Sequence, residues 1–260
     1  MNFIHEIITP KSELLKKYIT SFNVLNELDL NREIIYSAFP QRGITVVFFK
    51  NAQIDVVENA VKIEFIESHK CSVVQLGKFL SPIKVHYKNY GPKISIHFSE
   101  TGVNYFFPNY FKDFSAQNIR VYPLEKFDLD SKKMFNKDLD FSIAYLEKYL
   151  ERKFQFVEIG EIERTVLRII EDSSIPNVQL AHEAALSEKT LNRRFQRYLG
   201  CRIFEYKRIV KFKEIVKDHF NNHNSKLIHL CYNNGYYDES HLNKKIKLLT
   251  ENTLNIMITQ

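Results

Sequence analysis

A short segment near the C-terminus is nearly repeated 51 residues later, and this repeat constrains the fold more than any other feature of the chain. Leu191–Phe195 reads LNRRF, and Leu242–Ile246 reads LNKKI. In both copies, two apolar residues four positions apart flank an asparagine and a pair of cations. Residues four apart lie on the same face of an α-helix. The pattern therefore predicts two short amphipathic helices of one kind.

The residues around the first copy predict a helix-turn-helix. Val178 to Ala184 has helical spacing, and Ala185-Leu186 follows as a tight turn. Ser187 is a favoured N-cap for the next helix, which we expect to run to about Tyr198, and Gly200 is favoured at a helix C-terminus. In DNA-binding motifs of this kind the second helix enters the major groove.

The 51-residue offset carries the same features to the second copy. Asp238 replaces the N-cap Ser187, and Gly235 lies in a turn that is one residue longer. Between the copies, Phe204 to Phe220 predicts one helix of about 25 Å. Such a linker would hold two recognition helices at a separation comparable to the ~34 Å turn of B-DNA. We therefore expect one chain to read two successive major grooves.

The net charge of +6 is confined to the C-terminal third. Residues 173–260 contain 14 Lys and Arg against 8 Asp and Glu, whereas residues 1–172 contain 23 of each. This asymmetry is typical of a chain in which one part binds a polyanion. Charge alone fits an ordinary basic domain equally well, so the repeat carries the argument for nucleic acid.

The N-terminal half favours strands. Short runs rich in β-branched and aromatic residues recur from Glu33 to Ser99, which indicates an antiparallel sheet or a small barrel. Helical spacing follows from Ser131 to Lys153 and again from Val157 to Asp172.

We therefore predict an α+β chain with a β-rich N-terminal domain followed by an all-α DNA-binding domain. The first domain, with its C-terminal helices, covers residues 1–152 and the second covers residues 156–258. The second domain has helix-turn-helix motifs at about 178–199 and 226–249, joined by the linker helix.

Residues from about 159 to 257 resemble the DNA-binding domain of AraC/XylS-type transcription regulators. Besides the two copies of the repeat, the resemblance is carried by Leu180-Ala181, Leu186-Ser187, Leu199-Gly200, Tyr206, Arg208, Ile209, Leu230-Cys231, Gly235-Tyr236 and Ser240. The second motif departs from the family at Tyr236, Leu242 and Ile246, where Phe is usual. Glycine and proline are usual near Glu251 and Leu254.

The resemblance implies which residues contact DNA. It assigns base reading to Lys189, Asn192 and Arg193 in the first motif, and to His241, Asn243 and Lys244 in the second. Asparagine suits adenine and arginine suits guanine in the major groove. It assigns phosphate contacts to Ser187, Arg194, Gln196, Arg197, Ser240, Lys245 and Lys247. Because the second motif departs from the family pattern, we expect the first to carry more of the specificity.

The resemblance also implies partners. Double-stranded DNA and RNA polymerase are expected, as for a transcription activator. For the N-terminal domain it implies effector sensing or dimerisation, so a small-molecule effector and a second copy of the chain are expected there. No cofactor and no membrane contact are expected.

Other classes find no support in the sequence. No stretch approaches the roughly 18 apolar residues of a membrane span, and Met1–Pro10 lacks the pattern of a signal peptide. Three scattered cysteines predict neither a disulfide framework nor a metal site. The cysteine usage and the lack of a signal-peptide pattern predict a cytoplasmic protein. Without a Gly-rich phosphate loop or a nucleophile elbow, we do not expect an enzyme.

Two other functions stay open. One is a protein-interaction module whose degenerate motifs bind DNA without specificity. The other is an enzyme fused to a DNA-binding domain, such as a DNA repair methyl acceptor, which would need an activated cysteine in the place of Cys71.

Overall fold

The computed structural model describes residues 6–26, 29–66, 70–112, 114, 118–221 and 238–250. Within these ranges, the description leaves out the side chains of residues 29–32, 90, 219–221, 239, 241, 245, 248 and 249. The fold is mixed α+β, with a β-rich N-terminal part followed by helices, as the sequence predicts.

The strands of the described part form two sheets. The strands are β1 (Glu6–Ile8), β2 (Ile19–Leu25), β3 (Asp29–Ala38), β4 (Ile44–Lys50), β5 (Ala52–Val57), β6 (Ala60–Phe65), β7 (Cys71–Leu76), β8 (Ile83–Tyr90), β9 (Lys93–Phe98) and β10 (Ile119–Pro123). Sheet A has the order β1-β2-β9-β4-β7-β10, and sheet B has the order β3-β8-β6-β5. The β6–β8 pair is parallel, and the other neighbouring strands are antiparallel.

Most of the helical structure follows the strands. The α-helices are α1 (Glu13–Lys16), α2 (Ser131–Met134), α3 (Leu139–Lys153), α4 (Gly160–Glu171), α5 (Asn177–Glu183), α6 (Glu188–Leu199), α7 (Ile203–Asn221) and α8 (Glu239–Thr250). Short 3-10 helices cover Gly102–Tyr105 and Leu124–Phe127.

Two features differ from the sequence prediction. The continuous helix predicted from Ser131 to Lys153 is interrupted, because the Asp138 carboxylate accepts a hydrogen bond from the Phe141 backbone N–H and caps a separate helix, α3. Strands β1, β2 and β10 lie outside the region predicted as sheet. Their pairing is long-range, as between Ile19 and Phe98, and local periodicity does not report such partners.

Sheet A is covered on both faces. On β9, Ile94, Ile96 and Phe98 point into a core shared with the helices, while Lys93, Ser95 and His97 point towards sheet B. A second, smaller core lies between the two sheets. The helix-side core runs without a break from sheet A through α3 and α4 to α6 and α7. The boundary predicted near residue 152 therefore lies within one continuous core.

Polar contacts also join the N-terminal part to the later helices. Thr101 and Tyr105 donate hydrogen bonds of 3.2 and 2.8 Å to the Glu163 carboxylate of α4. The Asn104 amide donates to the Tyr198 carbonyl of α6 at 2.9 Å. The first two bonds hold α4 against the β-rich part, and the third places the C-terminal end of α6 against it.

We expect Gly200→Ala to lower the free energy of unfolding by at least about 2 kcal/mol. Gly200 has φ +73°, which costs a residue with a side chain about 1–2 kcal/mol. In addition, a Cβ atom at this position would lie 2.5 Å from the ring of Phe111, so the ring would have to move. Urea denaturation of both proteins measures the difference.

Gly160→Ala is the matched control. Gly160 opens α4, and the nearest atom to an added Cβ is Arg164 Nη1 at 3.5 Å, an ordinary contact. We expect this variant to be as stable as the parent or slightly more stable, because alanine favours a helix over glycine. Equal losses in both variants would show that the contact with Phe111 is unimportant.

Candidate nucleic-acid interface

Helices α5 and α6 are joined by a short turn, and the residues of this turn and of the ends of α6 have the local chemistry that the sequence predicts. The turn between them places Ala185 in the left-handed region at φ +52°. Ser187 Oγ accepts a hydrogen bond from the Thr190 backbone N–H at 3.2 Å and caps α6. Gly200, with its positive φ, ends the helix. The start and end of α6 are therefore fixed by its own flanking residues.

One face of α6 is buried. Leu191, Phe195 and Leu199 are fully enclosed and lie at positions i, i+4 and i+8. The Phe195 ring packs edge-on against Tyr206 of α7, with the centroids 5.5 Å apart. This packing holds α6 against the linker helix, so the opposite face has a defined orientation.

The opposite face of α6 is exposed and cationic. Lys189, Arg193, Gln196 and Arg197 are all exposed there. Within the described part of the chain, the three cations have no carboxylate at ion-pair distance. Side chains of this kind on a rigid helix are free to donate hydrogen bonds to a partner that docks from outside.

Asn192 is half-buried and bonded within the protein. Its Nδ2 donates to the Glu188 carbonyl at 3.2 Å, and its Oδ1 accepts from the Ile203 backbone N–H at 3.3 Å. The second bond satisfies an N–H in the first turn of α7. The sequence did not indicate this role, and base reading by Asn192 stays a prediction.

Arg194 also makes a contact that the sequence did not reveal. Its guanidinium lies 2.5 Å from a carboxylate oxygen of Glu161 on α4, and the Glu161 side chain is mostly buried. This ion pair connects α6 to α4. A phosphate contact by Arg194 stays a prediction.

Helix α8 carries the second copy of the repeat. Leu242, Ile246 and Thr250 are buried at four-residue spacing. Ser240, Lys244 and Lys247 are exposed, and Asn243 is half-buried. The side chains of His241 and Lys245 lie outside the described part, as do residues 226–237, which hold the predicted first helix and turn of this motif. The second helix-turn-helix thus stays a prediction beyond α8.

The N-terminal part holds a large cavity between its two sheets. Its volume is about 970 Å³, and one side is formed by Ile170 of α4 and Val210 and Lys213 of α7. Aromatic and aliphatic side chains line much of the rest: Tyr36, Phe39, Val47, Leu76, Phe79 and Tyr87. The size and apolar character are those of small-molecule sites.

The cavity has an excess of cationic groups. Arg42, Lys78, Lys93, Lys213 and Lys217 line it, against two carboxylates, Glu100 and Glu214. Burial lowers the pKa of Lys93 to about 8, and burial together with the Arg42 charge lowers the pKa of Lys213 to about 8. Burial and the Lys93 charge also lower the pKa of His97. Bringing these groups together requires β9, the segments before β4 and after β7, and α7, so sequence patterns did not identify them as a site.

A third lysine that lines the cavity, Lys78, is buried and has a structural role. Lys78 Nζ donates to the backbone carbonyls of Gln41, Arg42 and Gly43 at 3.2, 2.5 and 3.3 Å. Burial lowers its pKa to about 8. Three carbonyls around one ammonium hold the chain between β3 and β4, which lines the cavity.

The described residues give little support to a catalytic cysteine, a metal site or a membrane-spanning helix. Cys71 is buried in the core, and burial raises the pKa of its thiol, the opposite of what an activated nucleophile requires. The described ranges contain no cluster of His, Cys, Asp and Glu able to hold a metal ion. Among the described helices, none combines the length and apolar character needed to span a membrane.

No protein-family model and no curated protein matches the chain. Solved structures of ToxT from Vibrio cholerae, an AraC-family regulator, are similar to it. A 1.65 Å structure gives a TM-score of 0.49 at 11% identity, covering 88% of this chain and 97% of ToxT. A structure of unsaturated fatty acid bound wild-type ToxT gives a TM-score of 0.48 at 13% sequence identity. The match covers 91% of this chain and 93% of that ToxT chain. At these TM-scores and identities, the likeness carries no conclusion about the ligand, target or function of this chain.

Proposed function

We propose that the chain is a sequence-specific DNA-binding transcription regulator, an activator that reads two successive major grooves. The observation that carries the proposal is the exposed cationic face of α6, anchored by Leu191, Phe195 and Leu199 on its other side. An isolated exposed cation carries little information, but several on one rigid helix after a tight turn match the recognition helix of a helix-turn-helix.

The exposed residues of α6 divide into two roles. Lys189 and Arg193 lie in the N-terminal half of α6 and are proposed to contact base edges. That half of a recognition helix enters the major groove most deeply. Gln196 and Arg197 lie nearer its C-terminal end and are proposed to contact phosphates. Base reading by Asn192 and phosphate contacts by Ser187 and Arg194 are proposed as well, beside the contacts that these side chains make within the protein.

The second motif is proposed to add mainly phosphate contacts. Ser240 and Lys247 are exposed on α8 and are assigned to phosphates together with Lys245, while Lys244 is assigned to bases with Asn243 and His241. RNA polymerase and a second copy of the chain remain proposed partners.

We also propose that the cavity between the sheets binds an anionic small molecule with an apolar body. The apolar walls would take the body, and the ammonium groups of Lys93 and Lys213 would take the anionic end. Because Lys93 lies on β9 and Lys213 on α7, one ligand would touch both the β-rich part and the linker helix. Such a ligand changes the affinity for DNA only if it binds one arrangement of the linker helix more tightly than another.

Selection of binding sites from random DNA, followed by footprinting of the selected site, tests the proposed function. Protection of two adjacent major grooves on one face of the duplex supports it. Salt-sensitive binding without sequence preference supports the interaction-module alternative instead.

Arg193→Ala and Arg194→Ala separate base reading from structural support. We expect Arg193→Ala to cost about 1–3 kcal/mol of binding to the selected site and to relax specificity there, with stability unchanged. Arg194→Ala should lower the melting temperature, because it leaves the mostly buried Glu161 carboxylate without its cation. Calorimetry measures the melting temperature of each variant, and DNA titration measures its binding free energy. Equal effects on stability would contradict the assignment.

Lys247→Ala should weaken binding evenly across sequences. Loss of one phosphate contact should reduce the slope of log K against log salt by about 1. DNA titration between low and physiological salt measures the slope. A change in sequence preference would instead place Lys247 among the base-reading residues.

Ligand binding to the cavity should weaken as pH rises through about 8. Below that pH, Lys93 and Lys213 are protonated and attract a carboxylate, and above it they lose the charge. We expect a long-chain carboxylate to bind up to tenfold less tightly per pH unit above about 8 for each lysine involved. Calorimetric titration of the carboxylate at pH values from about 6.5 to about 9.5 measures this pH dependence of the affinity. The alcohol of equal chain length is the control, and equal binding of both would contradict an anionic site.

A further inference from the structure

A groove lies between the N-terminal part and the exposed face of α6. It has a volume of about 460 Å³ and is lined by Asn109, Phe111, Lys112, Arg193, Gln196 and Arg197. The first three residues belong to the turn after the first 3-10 helix, and the others belong to the proposed recognition helix.

We propose that this groove holds a backbone phosphate of the bound DNA, so that Lys112 makes the N-terminal part a portion of the DNA-binding surface. The inference rests on the proposed function of α6. It adds a DNA contact from outside the helix-turn-helix.

The turn that carries Lys112 is held firmly. The Tyr110 hydroxyl donates to the Leu76 carbonyl at 2.8 Å, and the Tyr110 and Phe111 rings are buried edge to face with centroids 5.1 Å apart. The Lys112 backbone N–H closes the turn on the Asn109 carbonyl at 2.9 Å. Lys112 itself is exposed. Lys112 is therefore an exposed side chain on a rigid turn.

The turn is also fixed relative to α6. Phe111 packs against Gly200, where a Cβ atom would lie 2.5 Å from the ring, and Asn104 bonds to the Tyr198 carbonyl. Both contacts are at the C-terminal end of α6. They leave Lys189, in the first turn of the helix, exposed for base contacts.

The charges of the groove suit a phosphate. Its described lining has two cations that can hold a phosphate, Lys112 and Arg197, beside the base-reading Arg193, together with two amide side chains and no carboxylate. In the described part of the chain, no ion pair neutralises these cations. The C-terminal half of a recognition helix lies towards the edge of the major groove, where the phosphates are. Phosphate oxygens accept most hydrogen bonds from such groups.

The test compares full-length variants on the selected duplex and on a scrambled duplex. We expect Lys112→Ala to weaken binding to both by about threefold to tenfold and to reduce the salt slope by about 1. Lys112→Arg should restore both values, because it keeps the charge. The matched control is Lys62→Ala, which removes an exposed lysine from β6 in sheet B, on the other side of sheet A. It should bind as the parent does.

Ethylation interference locates the contact. With the parent, ethylation of one phosphate beside the first half-site should block binding, and with Lys112→Ala that block should disappear. Unchanged affinity and salt slope in Lys112→Ala would overturn this inference while leaving the proposed function intact. Tighter binding would overturn it as well, because the turn would then obstruct DNA. Failure of the parent to bind either duplex would refute the proposed function and this inference together.

Discussion

Sheet A is buried on both faces, and the rest of the structure depends on this arrangement. Successive side chains of a strand point to opposite faces, so β9 sends Ile94 and Ile96 into the helix-side core and Lys93 and His97 towards the cavity. A register shift of one residue would place Lys93 in the core and Ile94 in the cavity. The burial of one face thereby fixes the chemistry of the other.

Helix α7 connects the two proposed binding functions. Its Tyr206 packs against Phe195 of α6, and Val210, one turn later, and Lys213, two turns later, line the cavity. A ligand that moved α7 would therefore change the packing contact that holds α6 in place. Coupling between sites in proteins typically amounts to 1–3 kcal/mol, which a change at one well-packed contact can supply. The continuous helix-side core makes such a contact available without a flexible linker.

Neighbouring residues of α6 have different surroundings although the sequence presents them as a uniform polar run. Arg193 is exposed, whereas Arg194 pairs with Glu161 and Asn192 bonds to the backbone at the start of α7. Helical spacing places each on a different side of the helix, and the neighbours on those sides come from distant parts of the chain. A pair of arginines therefore contains one residue open to a partner and one engaged in holding the motif together.

Local sequence determined the features that depend on local interactions. The Ser187 cap, the Gly200 ending and the buried spacing of Leu191, Phe195 and Leu199 specify α6 because each acts within a few residues of the helix. The strands from β4 to β9 follow from alternating side chains in the same way. Tertiary structure alone decided the long-range pairing of β1, β2 and β10, the cavity with Lys93 and Lys213, and the groove between Lys112 and α6. These features join segments far apart in the sequence, and contacts of that kind depend on how whole elements pack, which no local pattern encodes.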